Sequence, residues 1–341
     1  MSVRLQDIAR EAKVSYATVS RVLNNHKNVR AQTRTRVLEV LRRHQYGVKR
    51  SRARALSTEF NIELIFHRAW QNNTAGAQYF ASVIAGAEAI LQRLNCHLIV
   101  RTVSSGRLDS YFESLSADRS VDGVIIVYYD AEYRELYRRL QEQRIPCVLL
   151  QPRLLVEEAI TVFPDNLGGA RRAVEHLIAL GHRRIAHLHS VDGDYEATER
   201  RWAYELALRD AGIPLTAEYL QTTGGWDAES GEQAMGRLLR LAAPPTAVFA
   251  ANDSIAIGAM RACAAHGLKV PEDVSIVGFD DFYPEGFMMP ALTTINYPIP
   301  TLVEVAIREV LDHLQHRDFH AQRILTPVRL MERQSTRRLS E

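Results

Sequence analysis

Three segments of the chain run into side chains able to hold a hydroxyl-rich or heterocyclic small molecule. TAVFAA passes into Asn252-Asp253, SIVGF into Asp280-Asp281, and IAHLHS is followed within a turn or so by Asp192, Asp194 and Arg200. Carboxylate, amide and guanidinium together can fork-bond vicinal hydroxyls or the edge of a ring. Trp226, in TTGGWDAESG, offers a flat apolar face for stacking on a sugar or a base. Asp253 and Asp281 are read differently: each follows a strand where a helix should start, and a carboxylate there caps free amides.

Nucleophilic and metal chemistry find no such support. G-x-x-x-x-G-K-S/T, G-x-S-x-G and H-E-x-x-H do not occur, so no catalytic residue is named. His182, His187 and His189 lie close together, but no Cys or carboxylate stands at metal-ligand spacing, and neither a metal nor a cofactor is expected. Cys96, Cys147 and Cys263 are far apart among apolar neighbours, which reads as free buried thiols rather than a disulfide framework.

The elements that must position these groups alternate. IELIF, HLIV, GVIIV and CVLL are short apolar runs separated by amphipathic helical stretches such as YFASVIAGAEAILQRL and YRELYRRLQEQ. The pattern restarts after residue 160 with ITVF, GGARRAVEHLIAL, RIAHLHS, RRWAYELALRDA, TAVFAA, SIAIGAMRACAAH and DVSIVGF. Strand and helix in alternation imply parallel sheets, here in two similar α/β halves. In such sheets ligands bind outside the carboxyl ends of the strands, where all three polar segments fall. A stripe of Leu302, Val305, Ala306 and Ile307 marks the buried face of a late helix.

The first residues differ from the rest. Residues 1–56 hold 14 Lys+Arg and 3 Asp+Glu, a balance of +11, whereas the remainder carries 28 basic and 37 acidic residues, or −9. That density of positive charge is a footprint for phosphates. Leu5, Ile8, Ala9 and Ala12 form one helix face. Ser15 caps a second helix with Val19, Val22 and Leu23 inward, and a third from about Thr33 to Tyr46 turns Val37, Val40 and Leu41 inward. Residues 47–60, GVKRSRARALSTEF, read as a linker. The opening MSVRLQDIAREAKVS is amphipathic and charged, and no run of eighteen apolar residues occurs; a cytoplasmic protein without a membrane partner is expected.

Five ordered segments carry a resemblance. LQDIAREAKVSYATVSRVLNNHKNV, NVRAQTRTRVLEVLRRHQY, DNLGGARRAVEHLIALGHRRIAHL, PTAVFAANDSIAIGAM and VPEDVSIVGFDD resemble the signatures of the LacI/GalR bacterial repressors. The resemblance spans essentially the whole length. It implies a small all-α helix-turn-helix head and an α/β core of two parallel-sheet subdomains, similar to periplasmic binding proteins. The expected bounds are 1–47 for the head, 48–60 for a hinge and 61–341 for the core. Within the core the N-subdomain is expected at about 61–160 and 297–325, and the C-subdomain at about 161–296 and 326–341.

The same resemblance assigns roles. Tyr16 and Ala17 would select bases in the major groove, with Arg21 and Asn24 also at the DNA surface, while Thr18, Ser20, Asn28 and Thr33 hold phosphates. Leu56 would wedge into the minor groove from the hinge. The effector pocket would use Tyr79, Phe80, Asp194, Arg200, Trp226, Asn252, Asp280 and Tyr297. The chain departs from the family pattern at Tyr46-Gly47-Val48-Lys49, where Tyr-x-Pro-Asn is usual, and at Gln151, where relatives often have Asp. Asp194 stands where a purine-responsive member would carry a basic residue, which favours a neutral sugar. The expected function is a transcriptional repressor that binds double-stranded operator DNA as a homodimer and is induced by a small-molecule effector. A corepressor-dependent or protein-coregulated member, or a sugar-binding protein without regulation, is the alternative.

Overall fold

In the computed structural model the chain divides into two units, residues 1–59 and 60–341. The structure describes residues 9–15, 18, 19, 22, 29, 33, 35–37, 40 and 59 of the first unit. In the second it describes residues 60–67, 74–118, 120–128, 130–190, 193–283, 286, 288–316 and 320–339.

In the small unit Ala9, Ala12, Val19, Val22, Val37 and Val40 are buried in one cluster, with Val14 and Val29 against it. These are the apolar positions of the sequence periodicity that fall on described residues. Lys13, at φ +52°, turns the chain after the first helical segment. Ser15 Oγ then accepts from Thr18 N at 3.2 Å, satisfying an amide that the start of a helix leaves free.

The large unit opens with β1 (Asn61–His67), α1 (Thr74–Arg93), β2 (His97–Val103), α2 (Leu108–Asp118), β3 (Gly123–Val127), α3 (Arg134–Glu142), β4 (Cys147–Leu150) and β5 (Ile160–Pro164). It continues with α4 (Asn166–Ala179), β6 (Ile185–His189), α5 (Tyr195–Asp210), β7 (Leu220–Thr222), α6 (Ala228–Leu239), β8 (Ala247–Ala250), α7 (Asp253–Ala265) and β9 (Ser275–Val277). The last elements are β10 (Thr294–Asn296), α8 (Ile299–His316), β11 (Gln322–Thr326) and β12 (Arg329–Met331).

Two parallel sheets result. The first lobe has the order β11-β5-β4-β3-β1-β2 and the second β7-β6-β8-β9, while β10 and β12 form an antiparallel pair. The strands β3, β4 and β5 are buried at every residue, because helices cover both faces of a parallel sheet and leave no side for polar residues. The edge strand β2 is exposed or half-buried at every residue but Val103. Against the first sheet α8 buries Leu302, Val303, Ala306, Ile307, Val310 and Leu314. Its approach is close: a Cβ on Gly123 would stand 2.2 Å from Val310 Cγ1.

One strand changes lobes relative to the sequence expectation. ITVF, read as the start of the second half, is β5, and it pairs with β4 and β11 in the first sheet. An apolar strand carries no label for its sheet; β11, far away in sequence, supplies the partner. The chain therefore crosses between lobes after β5, between β10 and α8, and between β11 and β12.

Asp165, Asp194, Asp227 and Asn252 cap α4, α5, α6 and α7 through their side-chain oxygens. Helix caps thus stand at the ends of strands, where polar groups converge. The preference for a capping role at Asp253 and Asp281 needs correction. Asn252 is the cap of α7, and Asp253 is its first helical residue, accepting from Phe282 N at 3.1 Å and from the Thr294 hydroxyl at 2.5 Å. Asp281 starts no helix; it pairs with Arg333 at 2.7 Å.

Candidate functional site

Arg200 is the centre of a buried polar cluster where the two lobes meet, hereafter the cleft. It is 1% exposed, one turn along α5 from Glu196 and therefore on the same helix face. Its Nε donates to Asn166 Oδ1 at 3.0 Å and its Nη1 to Ala251 O at 2.5 Å. Carboxylate oxygens of Glu196 and Asp280 each stand 3.6 Å from a guanidinium nitrogen. The guanidinium carbon lies 3.8 Å from the Phe279 ring centre and 5.7 Å from that of Trp226.

The first lobe meets this group with aromatic hydroxyls and an amide. Tyr79, on α1, donates to Gln151 Oε1 at the end of β4. Gln151 Nε2 reaches Glu196 Oε1 at 3.4 Å, and the Tyr297 hydroxyl donates to the same oxygen at 3.0 Å. Tyr128 packs edge-on against Tyr79 with ring centres 5.0 Å apart, and Phe282 lies 6.3 Å from both Tyr79 and Tyr297. Tyr128, Gln151, Asp280 and Asp281 all hold positive φ, at 56°, 52°, 118° and 60°. For side chains with a Cβ this is unfavourable backbone, and such residues gather where a site demands a particular aim.

Charge is unevenly balanced here. One buried guanidinium faces two buried carboxylates. Burial pushes the Glu196 carboxyl up to about 7 against the pull of Arg200, and burial likewise raises Asp280. Burial raises the hydroxyls of Tyr79, Tyr128 and Tyr297 above the usual range, so they stay protonated donors. Hydroxyl donors, carboxylate acceptors and aromatic faces in one cleft match a neutral ligand with several hydroxyls.

Of the effector residues named from sequence, Tyr79, Arg200, Asp280 and Tyr297 are brought together and Trp226 borders them. Asn252 is occupied: its Oδ1 accepts from Ile255 N at 2.8 Å and its Nδ2 donates to Trp226 O at 3.0 Å. Asp194 accepts from Glu196 N at 3.0 Å and pairs with Arg153 at 3.3 Å. Phe80 packs edge-on to Phe66 at 4.4 Å. Glu196, Tyr128, Asn166, Phe282 and Gln151 were left out of that set. Tyr128 and Gln151 follow the same strand-end rule as Asp280, and Glu196 stands one helical turn before Arg200, so their signal was present.

The histidine cluster is core. His182 meets the Thr246 and Ser275 hydroxyls at 3.0 Å each, and His187 stacks on Phe249 with ring centres 4.7 Å apart. Among the described residues no group of His, Cys, Asp and Glu is placed to hold a metal, and no helix is long and apolar enough to cross a membrane. A separate open groove of about 530 Å³ on the outer row of α5 is lined by Trp202, Glu205, Leu206, Arg209, Ile213 and Leu215, away from the cleft groups.

Of the residues assigned to DNA, Tyr16, Ala17, Ser20, Arg21, Asn24, Asn28 and Leu56 lie outside the described residues. Thr18 and Thr33 are half-buried in helical segments, and the Thr18 hydroxyl lies 2.9 Å from that of Ser15.

Known proteins share both units. Residues 4–47 match the family model for bacterial regulatory proteins of the lacI family, and residues 174–336 match a periplasmic binding protein-like domain. The chain is 34% identical over 340 residues to a probable HTH-type transcriptional repressor ExuR of Bacillus subtilis, covering 99% of each chain. Among solved structures, a complex of the transcriptional regulator CelR with cellobiose is 28% identical with a TM-score of 0.71, covering 98% of this chain and all of that one. The lac repressor dimer bound to operator and an anti-inducer is 29% identical with a TM-score of 0.69, covering 99% of this chain and all of that one. Head and core follow one another here in the same order over the same length, and the chain belongs to the lacI family of bacterial regulatory proteins.

Proposed function

We propose that the protein is a cytoplasmic transcriptional repressor that binds a palindromic operator as a homodimer through its basic head. A neutral sugar held in the cleft lowers that affinity. The observation that carries the ligand reading is the Arg200, Glu196 and Asp280 group, walled by Tyr79, Tyr128, Tyr297, Trp226 and Phe282. Arg200 and Asp280 hold vicinal hydroxyls, Glu196 and Gln151 read a further pair, and Trp226 stacks on the ring. Asp194 and Asn252 act at one remove, by fixing the start of α5 and the Trp226 segment. Tyr16 and Ala17 choose bases, and Leu56 works at the hinge. No catalytic role is assigned to any residue.

The cleft and the head communicate only if ligand binds the two lobe arrangements unequally. CelR has been solved with cellobiose, and the lac repressor with operator; both ligand classes are supported for this chain by likeness. The test combines a thermal-shift screen of neutral sugars, uronates, sugar phosphates and nucleosides with anisotropy of labelled operator. Release by a neutral sugar is expected. Operator that stays bound at saturating levels of every sugar found to bind rules induction out, and tighter binding would make that ligand a corepressor.

A further inference from the structure

Beside the cleft, a second set of contacts joins the lobes from another face of α5. Tyr195 and Glu199 are one helical turn apart, as Glu196 and Arg200 are, but on the neighbouring row. Glu199 is 5% exposed. Arg323, on the edge strand β11 of the first lobe, donates to Glu199 Oε1 at 2.5 Å, and the Tyr195 hydroxyl donates to the same oxygen at 2.8 Å. The Arg323 guanidinium also lies 5.0 Å from the Tyr195 ring centre and 5.4 Å from that of Phe163, on β5, whose ring is 5.1 Å from Tyr195. Next to it Tyr195 N donates to Arg153 O at 3.1 Å and Arg153 pairs with Asp194 at 3.3 Å. Two segments of the first lobe therefore grip the first turn of α5.

The clasp is chemically separate from the ligand group but mechanically tied to it. Glu199 and Arg200 are consecutive residues of one rigid helix, so a displacement of α5 that lengthens the Arg323 contact also moves Arg200 within the cleft. The second oxygen of Glu199 is buried without a hydrogen-bond partner. Separating the lobes therefore exposes to water a carboxylate now held by Arg323 and Tyr195. Charge-assisted hydrogen bonds from the Arg323 guanidinium, whose side chain is 36% exposed, to the buried Glu199 carboxylate are strong enough to bias a two-state equilibrium.

We infer that the Arg323, Glu199 and Tyr195 clasp holds the lobes together from outside the cleft and so sets how much ligand is needed for the response. A ligand that needs the lobes together binds with an apparent affinity reduced by the fraction of molecules so arranged. The clasp raises that fraction. The lobe-holding role is independent of the proposed sugar response; the threshold role rests on it.

The experiment compares full-length wild type with Glu199→Gln, Arg323→Gln, the double variant and Tyr195→Phe, which removes only a hydroxyl. Spin labels are placed at exposed Glu113 in the first lobe and Arg240 in the second, both first replaced by Cys. Labelled chain is diluted into unlabelled chain so that distances are read within one molecule. Glu199→Gln and Arg323→Gln are expected to move the distance distribution to longer values, Tyr195→Phe to move it less, and the double variant to move it no further than either single one. Binding of whichever panel sugar the wild type takes should weaken by about tenfold in the single variants. An unchanged distribution in Glu199→Gln and Arg323→Gln overturns the inference. If the wild type binds no sugar, the sugar reading falls and the distances still decide the clasp.

Discussion

The Nε of Arg200 donates to Asn166 Oδ1 at 3.0 Å, and both side chains are buried. Asn166 is the first residue of α4, just after the chain leaves β5 and crosses from one lobe to the other. The Arg200 guanidinium is thus fastened to one of the three inter-lobe crossings, so a displacement of Arg200 acts directly on lobe geometry.

Arg200 also neutralises its surroundings, so its loss should reach beyond ligand binding. Arg200→Ala is expected to abolish the effector response and to lower stability by about 4 kcal/mol, since buried carboxylates lose their counter-charge. The loss should be smaller at pH 5.5 than at pH 8, because Glu196 and Asp280 can then take up protons. Urea unfolding at the two pH values measures this; an equal loss at both contradicts it.

Glu196 makes its own pH signature. Its folded value of about 7 lies above the ordinary 4.5, so the folded state binds more protons between those values. Its contribution to stability is fully present below about 4.5 and is lost as pH rises through about 7, by about 3 kcal/mol at most. Glu196→Gln should therefore be more stable than wild type at pH 8, with the gap closing towards pH 5. His187, lowered by burial to about 3, works in the opposite direction, present above about 6.5 and lost on acidification. It is common to both proteins, so the difference in melting temperature isolates Glu196.

Helices α6 and α7 touch backbone to backbone. A Cβ on Gly258 would lie 1.9 Å from Ala228 O, and one on Gly231 2.4 Å from Ile255 O. Gly258→Ala is expected to cost about 3 kcal/mol by forcing the helices apart. Denaturant titration of the variant should show that loss, and a change under about 0.5 kcal/mol would mean the pair can yield.

Asn252 joins a cap to the aromatic wall. Asn252→Ala should remove about 1 kcal/mol as a lost N-cap and weaken sugar binding by freeing the Trp226 segment, whereas Asn252→Asp should keep the cap and lose only the bond to Trp226 O. Calorimetric titration of both variants separates the two effects.

For the head, Tyr16→Ala should change which operator is preferred. Arg36→Ala, at an exposed helical position, should weaken all sequences alike and flatten the salt dependence. Anisotropy over a salt series with matched and mutated operators checks both.

Much was legible from residues alone. The basic head, the Ser15 cap, the alternation of strands and helices, and the placing of Arg200 and Asp280 among polar groups beyond the strand ends all follow from local periodicity, charge and the chemistry of strand ends. Those signals are short-range, and a sequence carries them directly. The lobe of β5, the occupation of Asn252 and Asp194 by helix caps, the turn of Phe80 to Phe66, and the gathering of Glu196, Gln151 and Tyr128 around Arg200 were decided in three dimensions. So was the grip of Arg323 on Glu199, residues more than a hundred positions apart. Each depends on which distant segment arrives at a given place, and burial, not residue type, then determines whether a carboxylate caps a helix, balances a guanidinium or waits for a ligand.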